Sequence, residues 1–469
     1  MKNREFINPI LVGRTEGRAP LLYRLFGIDV SVLATGALLL AMGTVLVYAA
    51  LHGTPRFESL WSKHLIAVVT GLGLGLIFVL LPATFVEELS PFLYAGSLVL
   101  LAMVLFLGRT IHGSRSWFIF GPIQFQPSEL AKFAFILFFS FLAVRYRELD
   151  PLITWPRRLG LLAAGAIPMA LILAQNDLSS AITFGFILLI YFWGLDLLAP
   201  GSMAALGIFG VISFVMLLSH IVAGLGTPEA GKIASKLIYF GFGPGATLAK
   251  WCGWSALFIV ASAILYKFLK GIFLLSPSTT WPWAAFVSVV LIGASGSGWV
   301  GWKALKAYQR NRMVSFLFPK ADPFGSGYNI TQSKIAIGSG GFMGKGLLLG
   351  SQTSLGFLPE RHTDFAFAAL CEEGGLVGAL MALALLGILF WRLSYFVELA
   401  RAEWGRLVAL GLLGLWLGEV SINIAYVLGM FPILGIGLPF ISYGGSRLVM
   451  NCVEIGLLLS ISRGFYVYR

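Results

Sequence analysis

The sequence predicts an all-α integral membrane protein, a polytopic helical bundle of about twelve transmembrane helices with a large outer loop. Two observations carry that prediction. Hydrophobic residues make up 58% of the 469 residues and charged residues only 12%, whereas a soluble chain carries about 25% charged residues. Long apolar runs also recur along most of the chain, and a helix needs roughly 20 apolar residues to cross the hydrocarbon core.

The runs that can span fall at 30–51, 65–82, 91–108, 128–145, 159–174, 178–197, 201–224, 252–267, 282–300, 365–391, 407–429 and 447–462. Residues 1–28 are polar and Arg-rich, without the apolar stretch of a cleavable signal peptide. Lys2, Arg4, Arg14, Arg18 and Arg24 precede the first span and place the N-terminus in the cytoplasm. Alternation then puts four further groups inside: Arg145 to Arg158, Lys267 with Lys270, Arg392 to Arg406, and Arg463 with Arg469. Both termini are therefore expected to be cytoplasmic. Cys252, Cys371 and Cys452 are widely separated in or beside apolar runs, which argues against a disulfide framework or a zinc site. The net charge of +12 suits anionic lipid headgroups or substrates, or is ordinary topology charge. Nucleic acid is not an expected partner of so apolar a chain.

One loop departs from the charge rule. Residues 301–363 are expected outside, yet hold Lys303, Lys306, Arg310, Arg312, Lys320, Lys334, Lys345 and Arg361. Either the rule weakens in a long loop, or the outer face is basic to receive headgroups and phosphates. Residues 108–132 add Arg109, His112, Arg115 and Lys132. Within the long loop, DPFGSGYNITQSKIAIGSGGFMGKGLLLGSQ is glycine-rich. Glycines let a backbone approach a ligand and turn N–H groups to anions, but the spacing is not that of a Walker A motif.

Polar residues at the span ends are the next signal, because charges inside a membrane are costly unless paired or hydrated. In PSELAK, Pro127 starts a helix and sets Glu129 and Lys132 on one face; an ion pair and a substrate contact explain them equally. In QNDLSS, Asp177 suits a helix cap. GLPFISYGGSR, which contains Ser442, is a Pro/Gly break of the sort that lines cavities. In FLPERHTDFAF, Asp364 stands where a helix begins, crowded by Glu360 and His362. It is either an N-cap, a task Thr363 does equally well, or a general base with a pKa raised at a dry membrane edge.

GSRSWFIFGPIQFQPSELAK, YNITQSKIAIGSGGFMGKG, FLPERHTDFAF and GLPFISYGGS occur in this order, each next to its expected span. Together they resemble the SEDS family (shape, elongation, division and sporulation proteins), with wording nearest its elongation branch. The resemblance implies a peptidoglycan glycosyltransferase that polymerises lipid II on the outer face of the bacterial cytoplasmic membrane during elongation. Asp364 matches the family's essential carboxylate, Trp117 its outer-loop tryptophan, and Glu129 and Lys132 its QPSELAK pair. Arg115, Lys132, Lys334 and Lys345 are candidates to meet the charge of a pyrophosphate leaving group, with Glu360, His362 and Ser442 as further substrate-binding candidates. A divalent cation (Mg or Mn) held by Asp364 or Glu129 is a candidate cofactor, and no organic cofactor is expected. The implied partners are the membrane, the undecaprenyl-pyrophosphate-linked glycan, a class B penicillin-binding transpeptidase and the MreC/MreD complex. The expected organisation is a cytoplasmic segment (1–28), family-core helices (29–224), an insertion (225–281) and a second core part (282–469) with the catalytic loop 301–363. The family has ten spans, so two are inserted, and QNDLSS replaces its Q-P-D-L-G-T. The rival readings are a lipid II flippase or other transporter of lipid-linked sugars, and a silent scaffold.

Overall fold

Nine of the twelve apolar runs are helices in the computed structural model, which describes residues 28–54, 57–111, 113–121, 123–149, 154–195, 307–317, 325–400 and 402–463. The runs 201–224, 252–267 and 282–300, the insertion 225–281, and Lys303, Lys306, Lys320 and His112 lie outside the described residues. The helices before the gap are α1 (Val30–Leu51), α2 (Phe57–Leu80), α3 (Ala83–Leu107), α4 (Pro127–Leu149), α5 (Trp155–Ala174) and α6 (Leu178–Gly194). After it come α7 (Ala307–Leu317), α8 (Ser326–Gly340), the single turn α9 (Ser351–Ser354), α10 (Ala366–Leu399), α11 (Glu403–Val427) and α12 (Gly445–Arg463). Among the described residues eight helices are long and apolar enough to cross a membrane, and α6 is a shorter apolar one.

The chain divides into two compact units. Unit 2 comprises Leu195–Thr331 with Leu428–Ile433; there Arg312 Nη1 donates to the Ile433 carbonyl at 3.4 Å. Unit 1 holds the remaining helices. Its centre is α4, α11 and α12, whose span windows are 72%, 78% and 78% buried, against 22% for α2 and 28% for α3. A peripheral helix keeps a broad face for lipid, so its apolar residues stay exposed: Val69, Leu76, Phe92 and Phe106 are examples.

Local chemistry sets the helix ends. Asp29 caps α1, its carboxylate accepting the N–H groups of Ser31 and Val32 at 2.9 and 3.1 Å. The same carboxylate pairs with Arg392 of α10, and the Asp29 N–H donates to Ser462 Oγ of α12 at 3.2 Å. Asp177 caps α6 as expected, accepting from Ser180 N at 3.1 Å; Gln126 Nε2 also reaches it at 3.0 Å. Helices α2 and α12 touch backbone to backbone, since a Cβ on Gly75 would lie 2.7 Å from the Cys452 carbonyl oxygen. Such small-residue contacts let membrane helices approach closely.

Between α3 and α4 the stretch expected outside forms a small antiparallel sheet, β1 (Arg109–Ile111), β2 (Ser114–Phe120) and β3 (Ile123–Phe125), in the order β1-β2-β3. Arg109 pairs with Trp117, and Ile119 with Gln124. The run SRSWFIF is rich in aromatic and β-branched residues, which fit a pleated surface.

The apolar run 365–391 reads as one unbroken span, but α10 has a break. Gly375 takes φ 63° and ψ −161°, and the glycine loop after α8 fills the gap. Leu376 and Val377 donate N–H groups to the carbonyls of Gly341 and Phe342 at 3.0 and 3.2 Å, while Lys345 and Gly346 donate to those of Glu372 and Glu373 at 3.0 Å each. Loop N–H groups thus serve carbonyls freed by the broken helix, and those of Gln352 and Thr353 turn to the Glu372 carboxylate, an anion within the chain.

A Cβ on Gly375 would collide with the Gly344 backbone nitrogen and would have to adopt a positive φ. Gly375→Ala is therefore expected to lower stability by at least about 2 kcal/mol, read as a lower thermal midpoint in detergent. Gly73→Ala on α2, which would meet nothing within 4 Å, should leave the midpoint unchanged or slightly raised.

Candidate active site

Five buried charges join α4, α11 and α12. The first turn of α4 brings Glu129 and Lys132 to 2.8 Å, and Lys132 also contacts Glu419 of α11 at 2.8 Å. Arg447, in the first turn of α12, reaches Glu129 at 3.3 Å, Glu454 at 3.2 Å, and Glu419. Trp416 Nε1 donates to Glu454 at 2.7 Å. The Lys132 side chain is 3% exposed and that of Glu454 0%. Of the two explanations for Glu129 and Lys132, the geometry shows the ion pair. It also tests Glu129 as a cation ligand: its two oxygens face Lys132 and Arg447, and a divalent cation beside two positive groups does not fit.

The FLPERHTDFAF segment forms a tight turn before α10. The N-cap position of α10 is Phe365, one residue after Asp364, and the Phe365 side chain makes no cap. The N–H groups of Thr363 and Phe365 both donate to the Glu360 carbonyl, at 3.1 and 3.2 Å, and Glu360 holds φ 50°. The Glu360 carboxylate accepts from Thr363 Oγ1 at 2.9 Å. Asp364 is half-buried. Its carbonyl accepts from Asn423 Nδ2 at 3.1 Å and from the Tyr426 hydroxyl at 2.9 Å, both on α11. Those two side chains also reach the Ile436 carbonyl at 2.7 and 2.5 Å. Backbone groups thus fix the turn.

Neighbouring residues brace the same turn. Arg361 Nε donates to the Ala50 carbonyl at 2.6 Å, and Tyr443 N–H donates to the His362 carbonyl at 2.7 Å. The His362 ring meets Tyr443 edge-on at 5.4 Å, and Tyr443 stacks on His64, which stacks on Trp61. Burial lowers the His362 pKa below 6.5, opposed by Glu360 and reinforced by Arg361. Burial likewise lowers the Arg361 value, against the attraction of Glu373, and raises that of Tyr443. A cavity of about 400 Å³ opens beside the turn, with Ala50, Leu51, Leu60 and Pro359 on its apolar side and Glu360, Arg361 and His362 on its polar side.

The other predicted residues are dispersed. Arg115 donates through Nε to the Gly108 carbonyl at 2.8 Å and through Nη2 to that of Phe106 at 2.6 Å, so it caps the end of α3. Trp117 is half-buried in β2, Lys334 is exposed on α8, and Glu360 is exposed in its turn. The Ser442 hydroxyl accepts the Leu438 N–H at 2.7 Å, shaping the Pro/Gly break before α12. Lys345 binds Glu372 at 2.8 Å, with Ser339 and Ser351 at 2.8 and 2.7 Å. Sequence reasoning passed over Glu372, Glu373, Glu419, Glu454, Asn423 and Tyr426. The carboxylates carried a usable signal, since ionisable residues inside an apolar run need partners. Asn423 and Tyr426 carried none, because their task is visible only from the carbonyls they reach.

Arg447→Met would leave three buried carboxylates facing Lys132 alone and is expected to cost about 3–5 kcal/mol. Adding Glu454→Gln should restore part of that loss, as measured by thermal unfolding in detergent. For His362, the unfolded chain binds more protons between the folded pKa and 6.5. Its contribution to stability is therefore full above 6.5 and falls as pH drops toward the folded value. His362→Gln should flatten that part of the stability–pH curve just below pH 6.5.

A family model described as "Cell cycle protein", covering FtsW, RodA and SpoVE, matches residues 29–224 and 260–466. Among curated proteins, the chain is 31% identical over 427 residues to peptidoglycan glycosyltransferase MrdB of Escherichia coli K12, covering 90% of this chain and 92% of that protein. It is 29% identical over 440 residues to peptidoglycan glycosyltransferase RodA of Treponema pallidum, covering 92% of this chain and 97% of that one. Among solved structures, a chain of a peptidoglycan synthase complex that coordinates polymerization and crosslinking aligns with TM-score 0.59 at 26% identity, covering 94% of this chain and 99% of that one. The rod shape determining protein RodA of Thermus thermophilus shares the fold, with TM-score 0.55 at 24% identity and coverage of 94% and 98%. The polytopic helices and the long family match lead to one conclusion: this chain belongs to the FtsW/RodA/SpoVE family of multi-pass membrane proteins.

Proposed function

We propose that the chain is a peptidoglycan glycosyltransferase that polymerises lipid II on the outer face of the cytoplasmic membrane during cell elongation. Asp364 is its general base. The observation that carries this reading is the turn itself: Asn423 and Tyr426 hold the Asp364 backbone just ahead of α10, beside the cavity that Glu360, Arg361 and His362 line.

The donor is a sugar joined through its anomeric carbon to undecaprenyl pyrophosphate, and the acceptor is a sugar 4-hydroxyl. Asp364 takes the hydroxyl proton, the oxygen bonds to the anomeric carbon, and the carbon–oxygen bond to pyrophosphate breaks with its electron pair. One displacement inverts the α-linked donor to a β-linked polymer, so one base suffices without a covalent intermediate. Positive charge near the leaving group stabilises the transition state. Exposed Lys334 is the candidate with most freedom to supply it. Arg115, Lys132 and Lys345 already hold internal partners and act from within the scaffold, while Trp117 offers a sugar-stacking face. A Mg or Mn ion on Asp364 would offset pyrophosphate charge but weaken the aspartate as a base.

Several further parts of the reading rest on the charge pattern and the family. Both termini lie in the cytoplasm, the loop 301–363 lies outside, and residues 225–281 are an insertion between two core parts. The family model leaves 225–259 unmatched. A class B penicillin-binding transpeptidase is the crosslinking partner, consistent with the synthase complex among the similar structures, and MreC/MreD joins in elongation. The rival reading is translocation of a lipid-linked sugar, for which the buried charges of α4, α11 and α12 are the relevant feature. They pair with one another in a closed set, whereas a transporter is expected to place its substrate groups on broken helices in paired repeats.

Asp364→Asn is expected to reduce polymerisation of purified lipid II by about 100-fold or more, with an unchanged thermal midpoint. Substantial residual polymer would remove Asp364 from the role of base. Lys334→Glu should raise KM for the pyrophosphate-linked donor, and unchanged kinetics would show that this lysine only serves topology.

A further inference from the structure

The segment from Gly341 to Phe357 has an unusual surface for a loop between membrane helices. Phe342, Met343, Leu347, Leu349 and Leu355 are 63%, 74%, 56%, 70% and 69% exposed. The single charged residue from Gly341 to Pro359 is Lys345, and its ammonium turns inward to Glu372, Ser339 and Ser351. We infer that this segment is a wedge seated in the bilayer, with its apolar side chains in the interfacial hydrocarbon.

Three observations favour lipid as the occupant. The apolar surface is continuous with the face of α10 that a membrane helix gives to lipid: Leu376, Val377, Leu380 and Met381 are all exposed, and the first two hydrogen-bond to Gly341 and Phe342. The depth also fits. From Leu376 to Trp391, the last residue before Arg392, the helix rises about 24 Å, short of the roughly 30 Å hydrocarbon core, which places the break at Gly375 at or just within the membrane edge. Finally, protein groups meet much of the wedge's backbone. The N–H groups of Gly344, Lys345, Gly346 and Leu349 find carbonyls at 2.9–3.2 Å, that of Leu348 meets the Glu373 carboxylate, and those of Gln352 and Thr353 meet Glu372 at 2.8 Å each. Non-helical backbone survives at membrane depth only when protein meets its polar groups. A docking site for a soluble partner carries no such requirement, and this surface offers no carboxylate for charge pairing. Leu358 N–H donates to the Gln352 carbonyl at 3.0 Å, so the wedge continues directly into the turn that carries Asp364 and sets its depth.

The test uses the full chain alone in lipid nanodiscs, with Cys252, Cys371 and Cys452 replaced by alanine. A polarity-sensitive fluorophore is attached at Met343→Cys, Leu349→Cys, Leu376→Cys as the lipid reference, and Arg145→Cys as the aqueous reference, its side chain being 68% exposed. The labels at 343 and 349 are expected to match position 376: blue-shifted emission, quenching by doxyl-labelled lipid, and severalfold less iodide quenching than at 145. Iodide quenching equal to that at 145 would overturn the inference. So would protection that appears only when a crosslinking partner is added, since the surface would then be a protein interface. Hydroxyl-radical oxidation of Met343 in the unsubstituted chain gives an independent reading. Oxidation severalfold slower in nanodiscs than in the denatured chain supports the wedge, and equal rates overturn it.

Discussion

Two buried cations hold the centre of this structure together. Lys132 and Arg447 sit among Glu129, Glu419 and Glu454, and no one of these charges is tolerable in the bundle without the others. The set spans α4, α11 and α12, the most buried helices of their unit. Its geometry therefore fixes the rotation of each helix about its own axis, which apolar packing against lipid-like surfaces specifies poorly. Trp416 adds a directional donor to Glu454 and removes one more rotational choice.

The candidate site depends on that arrangement. Asn423 and Tyr426 lie on α11 one and two turns beyond Glu419, and they reach the carbonyls of Asp364 and Ile436. Tyr443, just ahead of Arg447, meets the His362 carbonyl. The ion network sets α11 and the start of α12, and those elements in turn hold the FLPERHTDFAF turn. Holding Asp364 through its backbone fixes the position of its Cα, and fixed geometry of this kind is a form of preorganisation.

The broken helix α10 and the glycine loop after α8 are a second mutual dependence. Each supplies hydrogen bonds the other lacks, and Gly375 and Gly344 permit the contact because a side chain at either would strike the other backbone. Glu372 and Glu373 complete the junction by accepting loop N–H groups, and Lys345 neutralises the first of them. The glycine-rich character of the loop serves, among the described contacts, to mend a helix inside the protein.

Much of this was legible in the sequence. Apolar composition and run length gave the membrane class and the nine apolar helices that are described, eight of them long enough to cross, because both follow from the thickness of hydrocarbon. Proline and aspartate marked the starts of α4 and α6, since those effects are local. The ordered motifs gave the family and pointed to Asp364. Tertiary structure alone decided what each polar residue faces. Glu129 and Lys132 were ambiguous until Glu419, Arg447 and Glu454 surrounded them, and the hold of Arg115 on the end of α3 is visible only in the fold. The same holds for the sheet at Trp117 and the break at Gly375. Hydrogen bonds and ion pairs between residues hundreds of positions apart leave no periodic trace in a sequence, whereas burial against lipid does.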